Sequence, residues 1–280
     1  MVDFVPQEKG QTIRYPSTAN LYIDSLDRAN SGVTSADFII SKRSNILSGF
    51  FTRLAVNEVV LDWCIPNIRG VNENNTFTVT VGSTTHTVTL DDEFYTVKQC
   101  VDEITSLLDT AFGGNYFSVL PNGNGKSGIF LVCNNPWTIT ETNLSRILNI
   151  VNGSSAGTTA KFVECPNLVN TKYIDITSDS LTYCQNLKDA STSDKYVDVL
   201  YRWYLAWDNE PSYDAYGYPI LQGYKPFIQR RSIAFPKQIK WDNIQPIGQL
   251  AFRVYDDSGE IIDVTSGEME FNINCLVSEV

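Results

Sequence analysis

Residues 53–63 read RLAVNEVVLDW, a run of branched and apolar residues long enough to cross a β-sheet. Alternate residues of a strand point to the same face, so Leu54 and Val56 share a face with Glu58. Leu61 falls on the opposite face, which means that the apolar residues do not keep to one side. The pattern predicts a long strand with a bulge near Glu58, since one extra residue changes the face to which the later side chains point.

A second long strand is predicted at residues 197–207, where the odd-numbered residues are all apolar or aromatic. Such a face is pressed into a core or an interface. Shorter segments also have strand composition and are bounded by turn residues; they are residues 21–23, 38–40, 173–177, 227–235, 238–241, 250–255, 260–264 and 269–277. About eight strands, with long connections between some of them, predict a mainly β chain folded as a single jelly-roll sandwich.

The segment between the strands that precede residue 70 and those that follow residue 165 has a different character. Residues 70–165 combine hairpins with helical periodicity, and they are predicted to form a small inserted α+β domain. The jelly roll would then be discontinuous, built from residues 1–69 and 166–280.

Within the inserted domain, the order strand-strand-helix-strand-strand is predicted. A strictly alternating hairpin covers residues 76–90, and the clearest helix of the chain follows it. Thr96 and Gln99 form a T-x-x-Q capping box at the start of this helix. After a second hairpin, a short helix is expected at residues 143–150, capped by its first asparagine and ended by Gly153.

The stretch PNGNGKSG, residues 121–128, looks like a phosphate-binding loop. That motif needs a glycine six residues before the lysine, where this chain has Leu120, and a helix directly after the Ser or Thr. Residues 129–133 instead have the composition of a strand. The stretch is therefore interpreted as the turn of the second hairpin, with Lys126 exposed to solvent.

Composition excludes several classes of protein. Among 280 residues, 32 are acidic and 21 are basic, and a formal charge of −11 argues against a protein that coats nucleic acid. The six cysteines form no C-x-x-C pair, so neither a zinc site nor a redox motif is predicted. No leader sequence and no run of about 18 apolar residues is found, so we expect a chain that folds in a reducing cytosol without a membrane span.

Catalytic constellations are nearly absent from the sequence. The single histidine, His86, is expected on the threonine-rich side of the first hairpin, without a carboxylate or cysteine at the spacing of metal ligands. Asp256 and Asp257 are adjacent on a tight turn, where carboxylates point apart, so they are interpreted as solvated turn residues. No catalytic, metal-binding or cofactor-binding residues are predicted, and the chain is not expected to be an enzyme or to need a cofactor.

Aromatic residues are concentrated in the stretch 201–227. Its loop carries four tyrosines on a segment interrupted by proline and glycine: Tyr213, Tyr216, Tyr218 and Tyr224. Tyrosine supplies rigid contact area, so the loop could form a protein interface or a sugar-stacking platform. The general enrichment of tyrosine at interfaces favours the first interpretation.

Several phrases of the sequence, taken in order, resemble the penton (minor capsid) proteins of virophages and polinton-like viruses. They are ANLYIDSLDR, SADFIIS, TRLAVNEVVLDWCIPNI, DDEFYTVKQCVDEITSLL, NLSRILNI, PNLVNTKYIDITSDSL and KQIKWDNIQPIGQLAFRVYDDSGEIID. Together they span nearly the whole chain, and it is their order that carries the resemblance.

This resemblance implies a single jelly roll that assembles as a homopentamer at the five-fold vertices of an icosahedral virion. It also implies a shell of double-jelly-roll major capsid protein as partner, assembly inside the host cell, and an inserted domain that projects from the outer surface and is open to a host receptor. No motif of the family carries catalysis. The alternative is a receptor- or carbohydrate-binding jelly-roll module that uses the inserted domain or the tyrosine loop.

Overall fold

A computed structural model describes residues 18–28, 34–44, 46–47, 51–121, 128–152, 160–163, 166–182, 199–205, 212–220, 224–240, 247–265 and 267–278. Its elements, in chain order, are β1 Thr18–Asp24, β2 Asp37–Ser41, β3 Arg53–Cys64, β4 Thr76–Val81, β5 Thr84–Thr89, α1 Val97–Phe112, β6 Phe117–Pro121, β7 Ile129–Cys133, β8 Trp137–Thr140, α2 Asn143–Leu148, β9 Ile150–Asn152, β10 Ala160–Val163, β11 Tyr173–Thr177, α3 Asp179–Thr182, β12 Val199–Tyr204, β13 Ser212–Tyr213, β14 Pro219–Ile220, β15 Phe227–Ser232, β16 Gln238–Lys240, β17 Gln249–Tyr255 and β18 Glu268–Ser278.

Two antiparallel sheets form the larger part of the chain. One has the order β1-β18-β3-β15, with β16 also paired to β3, and the other has the order β12-β11-β17-β2. Counted along the chain, the eight main strands of these sheets are arranged 1-8-3-6 and 5-4-7-2, which is the order of a jelly roll. The predicted mainly β jelly-roll fold is confirmed.

The long strand β3 contains the predicted bulge. Glu58 lies opposite Asn274 of β18, but the next pair is Val56 with Cys275, so Asn57 is the extra residue. The bulge changes the face on which side chains lie, and Val56 and Val59 are therefore both buried in the same core.

Aromatic side chains join the two sheets. The rings of Phe38 on β2 and Phe252 on β17 stack with their centroids 5.3 Å apart. Phe271, which projects from β18 in the opposite sheet, lies 5.6 Å from Phe38. These three rings fill the middle of the sandwich, as expected when the inner faces of two sheets interdigitate.

The segment between β3 and β11 has its own hydrophobic cluster, packed around α1. Helix α1 has the predicted capping box, because the Thr96 hydroxyl accepts from the Gln99 N–H and the Gln99 side chain accepts from the Thr96 N–H. Gly113 ends the helix in the left-handed conformation at φ 74°. The side chains that α1 buries in this cluster include Val101, Ile104 and Leu108.

This segment contains more strands than the predicted strand-strand-helix-strand-strand order. Two sheets are present, β5-β4-β8 and β6-β7-β10-β9, so β8, β9 and β10 were missed. Each has only three or four residues, too few to show an alternating pattern in the sequence.

The second helix differs from its prediction at both ends. Thr142, and not Asn143, is the N-cap, and it forms a capping box with Ser145. The helix ends at Asn149, which adopts the left-handed conformation at φ 45° because asparagine tolerates it better than most residues. Gly153, the predicted end, lies outside the described residues.

A buried polar network marks the point where the chain leaves the sandwich. The Asn67 side chain donates to the Tyr95 carbonyl and accepts from the Tyr95 N–H, both at 2.9 Å. Asn74 donates to the Asn67 carbonyl and accepts from the Arg69 N–H. These bonds satisfy buried backbone groups and fix the end of β3 against the start of α1.

Candidate interaction surfaces

The tyrosine loop is held by a tight turn between β13 and β14. One carboxylate oxygen of Asp214 accepts from the N–H groups of Tyr216 and Tyr218, each at 2.9 Å. Gly217 occupies the left-handed region at φ 78°, which few other residues would adopt. The sequence therefore builds a rigid turn that fixes the directions of its tyrosines.

Two of the four predicted interface tyrosines are buried inside the chain. Tyr218 and Tyr224 are 8% and 4% exposed, and both belong to the hydrophobic cluster of the inserted segment. The Tyr218 hydroxyl donates to the Val163 carbonyl at 2.7 Å. The interpretation of these two residues as an external contact is corrected, because their rings already fill an intramolecular contact.

The other two tyrosines lie nearer to solvent. Tyr213 is 64% exposed. Tyr216 is half-buried against the inserted segment, and its carbonyl accepts from the Gly128 N–H at 3.0 Å. Tyr216 thus lies with the buried pair, whereas Tyr213 is separate and presents its ring outward.

Residues 122–127, the centre of the predicted phosphate-like turn, lie outside the described residues. The strands that flank them, β6 and β7, are antiparallel and pair as far as Pro121 with Ile129. The segment after the lysine is therefore a strand, as predicted, and not the helix that a phosphate loop requires.

His86 lies on the opposite face from the one expected. It is paired with Val79 across the hairpin, and its ring meets the edge of Phe112 of α1 at a centroid distance of 4.6 Å. The threonines bond to one another on the other face, as Thr78 does with Thr87 at 2.8 Å. Helix α1 covers the apolar face of the hairpin, and His86 lies at the edge of that covered face.

Acidic and thiol groups in the described part of the chain do not assemble into a metal site. No group of three or more His, Cys, Asp or Glu side chains there could hold a metal ion. Asp256 caps its own turn by accepting from the N–H groups of Ser258 and Glu260. Burial raises the pKa of the Cys275 thiol to about 12, so this group stays protonated and unreactive near neutral pH.

One ion pair is buried beneath the second sheet. Asp175, whose side chain is fully buried, receives two hydrogen bonds from the Arg202 guanidinium, both 2.7 Å long. The guanidinium also lies over the Tyr173 ring, 4.1 Å from its centroid. The hydrogen bonds that Arg202 donates to Asp175 raise the pKa of the guanidinium above its ordinary value. This arrangement orders neighbouring strands β11 and β12.

A cleft of about 240 Å³ opens beside the end of β3. Three apolar residues in its lining are Trp63, Ile65 and Ile261. Three carboxylates also line it: Asp256, Glu260 and Asp263. Sequence reasoning missed this cleft, because its residues come from segments almost 200 positions apart.

Arg69 contributes the positive charge of the cleft lining and is 3% exposed. Its Nη1 donates to the Asp263 carbonyl at 2.7 Å, whereas its buried Nε has no acceptor in the part of the chain that the structure describes. Burial lowers the pKa of this guanidinium, although it stays charged at any physiological pH. Arg69 therefore supplies a fixed positive charge to the cleft lining.

An exposed aromatic residue projects from the connection between β15 and β16. Residues 233–237, here called the Phe235 loop, leave the sheet opposite the Asn57 bulge. Phe235 is 96% exposed, and Ile228 on the adjoining strand is 73% exposed. Ile228 pairs with Asp62 of β3, so it lies about 17 Å along the strand from the Phe235 loop, and the two are separate exposed apolar residues.

The fold defines the chain as a jelly-roll protein with a long insertion between its third and fourth main strands. Its structure is similar to that of the mavirus penton protein, with a TM-score of 0.50 and 11% sequence identity. The similarity covers 95% of this chain and all of that one. No protein-family model and no curated protein matches the sequence. In the described residues, no helix has both the length and the apolar character needed to cross a membrane.

Proposed function

We propose that this chain is a structural protein of a viral capsid: a penton that forms homopentamers at the five-fold vertices of an icosahedral virion. The observation that carries the proposal is the shared fold with the mavirus penton protein over 95% of the chain, insertion included.

The proposed architecture is a discontinuous jelly roll of residues 1–69 and 166–280 with an inserted domain of residues 70–165. The two separate clusters of buried side chains support this division, since each cluster has its own strands. The inserted domain would project outward, where it is open to a host receptor. Tyr218 and Tyr224 would hold it against the jelly roll.

The proposed partners are other copies of the chain and a double-jelly-roll major capsid protein, and the proposed location is the virion, assembled inside the host cell. A closed ring of five needs two different surfaces on each copy, one for each neighbour. No nucleic acid, membrane or cofactor takes part in the proposal. The acidic balance of the chain agrees with a partner other than nucleic acid.

Two measurements test the proposal. Light scattering of the purified protein is expected to show a species of about 157 kDa, which is five chains of 31.4 kDa. A mass-spectrometric inventory of purified particles should then find five copies per vertex, counted against the major capsid protein. A protein that stays monomeric at high concentration and is missing from the particles would overturn the proposal.

A second candidate function is a receptor- or carbohydrate-binding module, and the exposure of Tyr213 favours it. An outward tyrosine ring on a rigid turn offers a sugar a flat surface for stacking. A glycan array with the wild-type protein and the Tyr213→Ala variant tests this function. Specific binding that is lost in the variant would support it, and the two functions are compatible if a penton also binds receptors.

A further inference from the structure

The Phe235 loop presents a side chain that is suited to insertion into a partner. Phe235 is 96% exposed, and Pro236, the residue after it, restricts the backbone and lowers the entropy lost when the loop is fixed. Aromatic residues that bury most of their area dominate the binding energy of protein contacts. A single exposed ring of this kind needs a pocket on its partner that holds one aromatic side chain.

The cleft beside the end of β3 fits this size and chemistry. Its volume of about 240 Å³ is below the roughly 300–1,000 Å³ of sites that hold small-molecule ligands. The exposed side chain of Ile261 and the largely buried Trp63 and Ile65 supply the apolar part of its lining. A short loop with one large apolar side chain would pack against them.

The two surfaces carry opposite charge. Around the Phe235 loop, residues 233–240 contain Lys237 and Lys240 and no acidic residue, whereas Arg230 on β15 is paired with Glu58 and the Arg231 guanidinium lies over the Trp203 ring. Lys237 is exposed directly beside the Phe235 loop tip. The cleft lining instead carries three carboxylates against the single guanidinium of Arg69. Charge complementarity of this kind fixes the register of an interface and excludes wrong partners.

The loop and the cleft cannot meet within one chain. The Phe235 loop lies beside Asn57 of β3, whereas the cleft lies at Trp63 and beyond. Six residues of extended strand separate them by about 20 Å, far more than a phenylalanine side chain can span. A contact between them therefore requires two copies, and each copy would use a different surface.

We propose that the Phe235 loop of one copy inserts into the cleft of the next copy, and that this contact is the subunit interface of the ring. The inference rests on the proposed function and names the two surfaces through which the ring would assemble. Because the two surfaces differ, the contact is heterologous, and such contacts generate closed rings when the rotation between neighbours closes.

Single variants test each side of the contact by native mass spectrometry of the full chain over a range of concentrations. Phe235→Ser removes the inserted side chain, and Ile261→Arg places a long cation at the mouth of the cleft, where Ile261 is 43% exposed. Each is expected to raise the dissociation constant between subunits at least tenfold, as removal of an interface anchor does. Leu120→Ser, at a 50% exposed apolar residue of the inserted segment, is the control and should assemble as the wild type does.

Mixing the two variants gives a sharper test. The Phe235→Ser chain keeps its cleft and the Ile261→Arg chain keeps its loop, so one intact contact remains possible between them. An equimolar mixture should form a one-to-one dimer of about 63 kDa, two chains of 31.4 kDa, and no ring. Circular dichroism and thermal unfolding of each variant verify that neither substitution acts by unfolding the chain.

The outcomes separate this inference from the proposed function. Wild-type rings together with unaltered assembly of both variants would overturn the inference and leave the penton proposal standing. At a concentration where neither variant assembles alone, rings in the mixture would also overturn it. A wild-type chain that is monomeric at every concentration would overturn the inference, and the penton proposal with it if the protein is also missing from purified particles.

Discussion

Gly267 is the residue at which the packing leaves the least room. A Cβ atom there would lie 2.4 Å from the Cys64 carbonyl oxygen and 2.8 Å from the Ile65 Cα, both of which are backbone atoms. The contact holds the start of β18 against the end of β3, next to the cleft. The backbone cannot yield as a flexible side chain would, so glycine is required for close approach and not for an unusual φ.

We expect Gly267→Ala to destabilise the protein by about 1–3 kcal/mol, the usual cost of overpacking. Chemical denaturation monitored by circular dichroism measures the change. Gly70→Ala is the matched control, because its added Cβ would come no closer than 3.4 Å to the Asn75 side chain. Equal losses of stability in the two variants would contradict the proposed backbone clash.

Glu270 makes a contribution to the stability of the folded protein that depends on pH. Burial and the nearby carboxylates of Glu268 and Asp62 raise its pKa above the ordinary 4.5. The folded state therefore binds this proton more tightly than the unfolded state, and the resulting stability is lost as the pH rises through the raised pKa. Ionised Glu270 thus opposes folding at neutral pH.

Glu270→Gln is expected to stabilise the protein at pH 7 by about 0.5 kcal/mol, a typical size for partly exposed charge interactions. The gain should disappear near pH 3, where Glu270 is protonated in both states. Thermal unfolding of both proteins at pH 7 and pH 3 measures the difference. A gain of equal size at both values would show that packing, and not charge, causes the effect.

At the scale of single elements, α1 shows how a local motif determines a boundary. The capping box of Thr96 and Gln99 satisfies backbone N–H groups that the first turn leaves without partners. Thr96→Ala is expected to cost about 1 kcal/mol of stability in chemical denaturation. Thr110→Ala removes a threonine hydroxyl from an exposed position near the other end of the helix. This substitution should cost no stability, because alanine is the better helix former. A Thr110→Ala variant as destabilised as Thr96→Ala would contradict the role of the cap.

Elements with such local determinants could be predicted from the sequence. The bulge of β3 follows from the exchange of apolar residues between faces, and the start and end of α1 follow from Thr96 and Gly113. The missed strands β8, β9 and β10 depend on pairing with distant segments, because their own three or four residues carry little pattern. The face of His86 likewise depends on where α1 packs, which the hairpin alone does not determine.

Contacts between segments far apart in the chain limited what could be predicted of the interaction surfaces. The four tyrosines look alike in the sequence, but Tyr218 and Tyr224 meet the inserted segment whereas Tyr213 does not. The contact from Tyr218 to Val163 spans 55 positions. Composition predicted a contact surface there, and only the packed fold distinguishes an internal contact from an external one.

At the scale of the whole molecule, the described residues form two hydrophobic clusters. One cluster contains Trp203 and Ile273 of the sandwich, and the other contains Leu108 of α1. Polar bonds such as that from the Asn67 side chain to the Tyr95 carbonyl connect the two parts. Contact areas between such units are more polar than their cores, and each unit can open without the other.

The two clusters should therefore respond separately to a loss of packing. Leu108→Ala removes a fully buried side chain from the inserted segment and is expected to destabilise that segment by about 3 kcal/mol. Hydrogen exchange measured by mass spectrometry should then become faster in α1 and β4, and exchange in β3 and β18 should stay slow. The matched variant Ile273→Ala, equally buried in the sandwich, should speed exchange in β3 and β18. If Leu108→Ala accelerated exchange equally in both parts, the chain would unfold as one cooperative unit, and the proposed division into a jelly roll and an inserted domain would be wrong.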